Sequence, residues 1–230
     1  MILNRRPSGM PKAVLFDMDG TLYDSMPNHA DSWLEMVTEQ GIAATRDEFF
    51  LYEGSTGAAT VNLLYQRAYG RDADAEEVAR LYARKAEIFR TKPRPRVMPG
   101  VKELIARLQA LPSPPVTVLV TGSAQGSLLD RLDDDFPGVF PRRRRVTALD
   151  VERGKPYPDP FLQGARLAGV SPRECWVVEN APLGVQAARA ADCFTIAVRT
   201  GPVPMDALSR AGADVVFPSM PECAEGVNFL

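Results

Sequence analysis

The 230-residue chain has one histidine, three cysteines and no long apolar run, and each scarcity removes a class of function. A single imidazole, His29, cannot build the clusters that zinc sites use. Cys175, Cys193 and Cys223 lack metal-ligand spacing and are an odd number for a disulfide framework, so a reducing cytoplasm is the expected location. No stretch approaches the roughly 18 apolar residues of a membrane span. The opening MILNRRPSGMPK has two arginines but no apolar segment suited to a signal peptide, and residues 1–11 are expected to fray. Charge of one sign is also scarce: 27 basic residues face 29 acidic ones, for a net charge of -2, which gives no pull toward nucleic acid. The run Arg142-Arg143-Arg144-Arg145 is a local exception without aromatic interleaving, and it reads as a solvated loop or strand edge.

What the chain does have is alternation. From Lys12 onward, short β-branched runs alternate with amphipathic stretches, the pattern of a parallel sheet flanked by helices. Strands are expected at Ala13–Asp17, Val116–Thr121, Arg145–Ala148, Cys175–Glu179, Phe194–Val198 and Asp214–Phe217. Between the first two, residues 26–95 show only helical periodicity, as in Trp33, Met36, Val37 and Val78, Leu81, Tyr82, Lys85. That block is too long for a simple crossover and reads as an inserted helical subdomain. The stiff segment Lys92–Gly100, with three prolines, marks the return to the core. The expected fold class is therefore α/β, with the core at 12–25 and 96–230 and a helical cap at 26–95. Apolar residues such as Trp33 and Phe50 suit cap packing better than an interface, so a monomer is expected.

Ligands in an open α/β sheet sit outside the carboxyl ends of the strands. Here those ends are polar: Asp17-Met18-Asp19-Gly20-Thr21 after the first strand, Thr121-Gly122-Ser123 after the second, Glu179-Asn180 after the fourth, with Lys155 in a Gly-Lys-Pro loop. Strand ends often carry turn residues and caps, but carboxylates, a hydroxyl, an amine and an amide converging on one rim indicate a reactive site. Residues 17 and 19 point to the same side of an extended chain. Thr121 and the amides of Gly122 and Ser123 precede a helical stretch expected at Gln125–Leu132, suited to cradling an anion.

These segments, in this order, resemble the four motifs of the haloacid dehalogenase-type phosphohydrolase superfamily, over Lys12–Pro218. The resemblance implies a Rossmann-like core in which Asp17 is the nucleophile that forms an aspartyl-phosphate and Asp19 is the general acid and base. The nucleophile-only dehalogenases lack an aspartate at the second position, so Asp19 points to phosphoryl transfer. Lys155 would offset charge on the equatorial oxygens of the transition state. Mg2+ would be held by the Asp17 side chain, the Asp19 backbone carbonyl and the acidic pair of the fourth motif, with phosphate and water completing its shell. This chain reads Glu179-Asn180 there, and the neutral amide removes one negative charge from the expected metal set.

Glu53 is a candidate to restore that charge. Its loop, Glu53-Gly54-Ser55-Thr56-Gly57, taken with the ENAPLG run, resembles a small-cap subgroup related to beta-phosphoglucomutase in which some members hydrolyse inorganic pyrophosphate. His29 and Lys85 match cap positions that face the substrate in that subgroup. The phosphate-holding arginine of the mutases has no counterpart in Ser55-Thr56-Gly57. The leading expectation is an Mg2+-dependent phosphohydrolase acting on inorganic pyrophosphate or another small phosphate. A beta-phosphoglucomutase-like isomerase, a sugar-phosphate phosphatase and a non-catalytic binding module remain open. The expected partner is a small phosphorylated substrate, with neither nucleic acid nor membrane.

Overall fold

Seven strands form a single sheet in the computed structural model, which describes residues 1–123 and 126–227. They are β1 (Ile2–Leu3), β2 (Ala13–Phe16), β3 (Val116–Val120), β4 (Arg145–Val146), β5 (Cys175–Glu179), β6 (Phe194–Val198) and β7 (Val215–Phe217). Their spatial order is β1-β7-β6-β5-β2-β3-β4, and every pairing is parallel except β1 with β7. Strand β2 is buried on both faces, which explains its unbroken apolar sequence Ala-Val-Leu-Phe. Its alternate residues feed two cores: Val14 and Phe16 pack with Leu119, Trp176 and Phe217, whereas Ala13 and Leu15 pack with Val118, Val120 and Phe161.

Between β2 and β3 run α1 (Met26–Glu39), α2 (Glu48–Leu51), α3 (Gly57–Tyr69), α4 (Ala75–Thr91) and α5 (Val101–Gln109). The first four share an apolar cluster that includes Trp33, Met36, Phe49, Leu64 and Leu81. The longest, α4, starts at a capping box in which the Asp74 side chain accepts from the Glu77 amide while Glu77 accepts from the Asp74 amide. Thr56 caps α3 by accepting from the Ala59 amide, which fixes the end of the loop that carries Glu53. The remaining helices are α6 (Gly126–Leu129), α7 (Leu132–Asp135), α8 (Asp159–Ala168), α9 (Pro182–Ala190), α10 (Met205–Arg210) and α11 (Met220–Gly226).

Three expectations need correction. The opening segment is not frayed: β1 pairs with β7, and the Arg5 guanidinium grips the buried Asp214 carboxylate at 2.6 and 2.8 Å. The expected helix Gln125–Leu132 is split into α6 and α7 by a turn at Asp130 and Arg131, and Gln125 lies outside the described residues. The strand expected at Arg145–Ala148 stops at Val146, because the Asp150 carboxylate accepts from both the amide and the hydroxyl of Thr147 and folds the chain into a turn. The arginine run forms a 3-10 turn at Arg142–Arg144, after which Arg145 opens β4 and pairs with Asp133. Among the described residues no helix is long and apolar enough to cross a membrane.

Candidate active site

Asp17 directly follows β2, its amide still bonded to the Val178 carbonyl of β5 at 3.0 Å. The Lys155 ammonium donates to Asp17 Oδ1 at 2.5 Å and to Glu179 Oε1 at 2.6 Å, with all three side chains withdrawn from solvent. The other Glu179 oxygen accepts from the amides of Asn180 and Ala181, at 2.7 and 2.8 Å, beside the start of α9. Glu179 is thus fully engaged as the anchor of Lys155. Burial pushes the Asp17 carboxyl up, an effect the Lys155 charge opposes and the Glu179 charge reinforces. Burial alone would lower Lys155, but the two carboxylates outweigh it and hold the ammonium charged.

A second chain of contacts starts at Asp19. Its Oδ1 accepts from the Ser25 hydroxyl at 2.6 Å and meets His29 Nε2 at 2.9 Å, while His29 Nδ1 lies 2.6 Å from the Lys85 amine. Lys85 is buried among the rings of Trp33, Tyr82 and Phe89, 5.2 to 5.9 Å from their centroids. Burial lowers its pKa to about 7, against the attraction of Asp19. Burial and the Lys85 charge lower His29. Although burial acts in the opposite direction on Asp19, His29 and Ser25 prevail and keep its carboxyl lowered.

The loop before α3 forms part of the same site. Glu53 Oε1 accepts from Asn180 Nδ2 at 2.7 Å, and Asn180 Oδ1 accepts from the Thr21 hydroxyl at 3.1 Å. An aspartate at 180 would oppose the Glu53 carboxylate at that distance, so amide and carboxylate are complementary as they stand. The loop reaches this depth because the core lacks side chains beneath it: a Cβ at Gly122 would lie 2.5 Å from the Gly54 carbonyl oxygen, and one at Gly154 2.5 Å from Thr56 Cγ2. Thr121 Oγ1 accepts from the Ser123 amide at 3.0 Å.

Asp17, Asp19, His29, Glu53, Lys85, Thr121, Gly122 and Ser123 all line one cavity of about 60 Å³. Lys155, Glu179 and Asn180 are bonded to that lining. Sequence reasoning missed Ser25, whose spacing of six residues from Asp19 carries no recognisable pattern, and the aromatic wall of Trp33, Phe49, Tyr52 and Tyr82, whose periodicity reads simply as cap core.

The donor set fits a hard divalent cation. Glu53 is buried, and burial, together with the Asp17, Glu179 and Asp19 charges, pushes it well above the carboxylate range despite its bond to Asn180. A cation beside Glu53 and Asp17 would remove that excess of negative charge. Among the described residues no three His, Cys, Asp or Glu side chains form a ready-made metal group, so the shell would combine carboxylate, amide and backbone oxygens.

Comparison with known proteins identifies the family. The family model of the haloacid dehalogenase-like hydrolases matches residues 11–192. Hexitol phosphatase A of Escherichia coli K12 is 33% identical over 210 residues, covering 91% of each chain. The beta-phosphoglucomutase of Bacillus subtilis 168 is 28% identical over 214 residues, 89% of this chain and 88% of the mutase. A solved Bacteroides vulgatus protein, provisionally assigned as a beta-phosphoglucomutase, superposes with a TM-score of 0.90 at 45% identity, covering 95% of this chain and 88% of its own. The chain, an α/β enzyme with its strand-end carboxylates gathered around one cavity, belongs to the haloacid dehalogenase-like hydrolase family.

Proposed function

We propose that the protein is an Mg2+-dependent phosphohydrolase that cleaves a small phosphorylated sugar or polyol through an aspartyl-phosphate on Asp17. The observation that carries the reading is the Lys155 bridge: a buried ammonium held by Glu179 and placed 2.5 Å from the carboxylate of Asp17, which lines one cavity with Asp19. Asp17 Oδ attacks phosphorus, the bond to the leaving oxygen breaks, and Asp19 gives that oxygen a proton. Asp19 then takes a proton from water as the water attacks phosphorus, which releases inorganic phosphate and restores Asp17. Its lowered pKa suits the second step; in the first, the negative charge of the substrate raises it again and lets it hold the proton. Thr121, with the amides of Gly122 and Ser123, would hold the phosphoryl oxygens.

Asp17, the Asp19 carbonyl, Asn180 and Glu53 would hold Mg2+, whose charge would offset repulsion between carboxylate and phosphoryl group. Glu179 has both oxygens committed elsewhere and is assigned to Lys155 instead of the metal. The hexitol phosphatase and phosphoglucomutase relatives favour a phosphorylated sugar or polyol over the pyrophosphate expected from sequence. Pyrophosphate stands as a second reading, favoured by the small cavity and by Glu53 at its edge. A cytoplasmic location is part of the proposal, supported by three buried free cysteines.

The test is phosphate release with Mg2+ from glycerol, hexitol and hexose phosphates and from pyrophosphate, alongside conversion of beta-glucose 1-phosphate to the 6-phosphate. Esters should be hydrolysed, and Asp17→Asn should abolish turnover with an unchanged circular dichroism spectrum. Turnover retained in that variant would remove the nucleophile, and isomerisation without phosphate release would replace the reading with the mutase.

A further inference from the structure

The outer wall of the cavity is aromatic, although phosphoryl transfer calls for no aromatic ring. Trp33 stacks on Phe49 with centroids 6.1 Å apart and 12° between planes, and it tilts against Tyr82 at 6.3 Å. Tyr82 and Lys85 are three residues apart on α4, so ring and amine share one face of the helix. The ring lies over Gly57, the first residue of α3: a Cβ there would sit 2.9 Å from Tyr82 Cγ and closer still to the ring edge. No side chain at position 57 is compatible with the ring where it stands. The missing side chain at Gly57 therefore lets the Tyr82 ring take that place in the cavity wall.

On another side the cavity cannot widen, because the Gly54 carbonyl is already pressed against Gly122. Ligand pockets typically measure about 300–1,000 Å³, so a cavity of about 60 Å³ leaves little room beyond the phosphoryl group.

We infer that Tyr82, seated on Gly57, sets the size limit on the leaving group and makes the enzyme select phosphate esters of short polyols over hexitol and hexose phosphates. This rests on the phosphohydrolase reading and names the residue that selects within it. Removing the ring lengthens the cavity toward α3. Keeping the ring while losing its hydroxyl leaves the length as it is.

The experiment measures kcat/KM for glycerol 1-phosphate and for a hexitol phosphate, in wild type, Tyr82→Phe, Tyr82→Ala, Tyr82→Leu and Gly57→Ala. Wild type should prefer the glycerol ester by about tenfold or more, the scale at which a pocket discriminates by size. Tyr82→Ala and Tyr82→Leu should shift the hexitol-to-glycerol ratio by about tenfold toward hexitol, mainly through KM, while Tyr82→Phe keeps the wild-type ratio. Gly57→Ala should depress kcat/KM for both esters, and combining it with Tyr82→Ala should restore it, since the clash needs both groups. A ratio unmoved in Tyr82→Ala or Tyr82→Leu while phosphate is still released overturns the inference, as does a wild-type preference for the hexitol ester. Absence of phosphate release from either ester by the wild-type protein would overturn the polyol-ester reading on which the inference rests.

Discussion

Replacing Lys85 with methionine keeps the unbranched stem, removes the charge, and should make the protein more stable near neutral pH while impairing turnover. Lys85 is 2% exposed, and its close neighbours are His29 and three aromatic rings. Burial takes its pKa from 10.5 down to about 7, with the Asp19 charge opposing. Between those two values the unfolded chain binds a proton at Lys85 that the folded protein does not. The Lys85 contribution to wild-type stability then rises with pH across that window and levels off below about 7. One pKa unit is worth about 1.4 kcal/mol, so the interval from pH 7.5 to 9.5 carries roughly 2 to 3 kcal/mol. Methionine has no such dependence, and what it forfeits is the bond between the amine and His29 Nδ1, whose loss leaves a buried ring nitrogen unpaired at about 1 to 3 kcal/mol. His29, lowered from 6.5, stays neutral in the folded protein above pH 7.5 and does not confuse the comparison. Urea unfolding at both pH values measures the difference. The variant should be the more stable at pH 7.5, with its advantage shrinking by about 2 to 3 kcal/mol at pH 9.5. A variant less stable than wild type at pH 7.5, or an advantage equal at both, would refute the reasoning.

Asn180→Asp should cut kcat/KM at fixed Mg2+ by about tenfold to a hundredfold, because it sets a carboxylate against Glu53 where an amide now donates at 2.7 Å. Adding Glu53→Gln moves the charge to the core side and should recover most of that loss, whereas two independent losses would show that the residues do not share a task; an Mg2+ titration of phosphate release reads both. Gly122→Ala places a methyl 2.5 Å from the Gly54 carbonyl, a backbone atom that cannot step aside by changing rotamer. It should lower kcat/KM by roughly tenfold as the loop fails to seat, with the thermal midpoint little changed, because the clash is relieved by opening the cap. Full activity in this variant would mean that chemistry proceeds without the loop against Gly122.

The sheet was legible because each parallel strand is buried on both faces and leaves an apolar run bounded by turn residues, as Ala13–Phe16 and Phe194–Val198 do. Its polar strand ends were legible for the complementary reason: Asp17, Thr121 and Glu179 interrupt such runs where a purely structural chain needs only a turn. The N-terminal arm was not, since Ile2 and Leu3 form too short a strand to carry a period, and what holds the segment is the ion pair from Arg5 to Asp214, 209 residues away. The break between α6 and α7 escaped for want of proline or glycine at Asp130 and Arg131.

Lys85 shows where pattern reading stops within the site. Its position in the run Val78, Leu81, Tyr82, Lys85 puts it on the inward face of α4, a place where periodicity expects an apolar residue and chemistry expects a solvated one. Only the packing of α1 against α4, which sets the His29 ring between Lys85 and Asp19, makes the violation intelligible. The same holds for Asn180 and Glu53, 127 residues apart: each alone departs from the expected metal pattern, and in the proposed metal set the two together would keep its charge while moving one carboxylate from the end of β5 to the loop before α3. In that proposal a carboxylate carried by the loop would reach the metal set only while the loop is seated, so that assembly of the set and enclosure of the substrate would become one event. This is why the Asn180→Asp variant and its Glu53→Gln partner should be read against Gly122→Ala: if charge and closure are coupled in this way, returning the carboxylate to the core should lessen the loss of Mg2+ affinity caused by Gly122→Ala. Equal Mg2+ sensitivity in both backgrounds would separate the two.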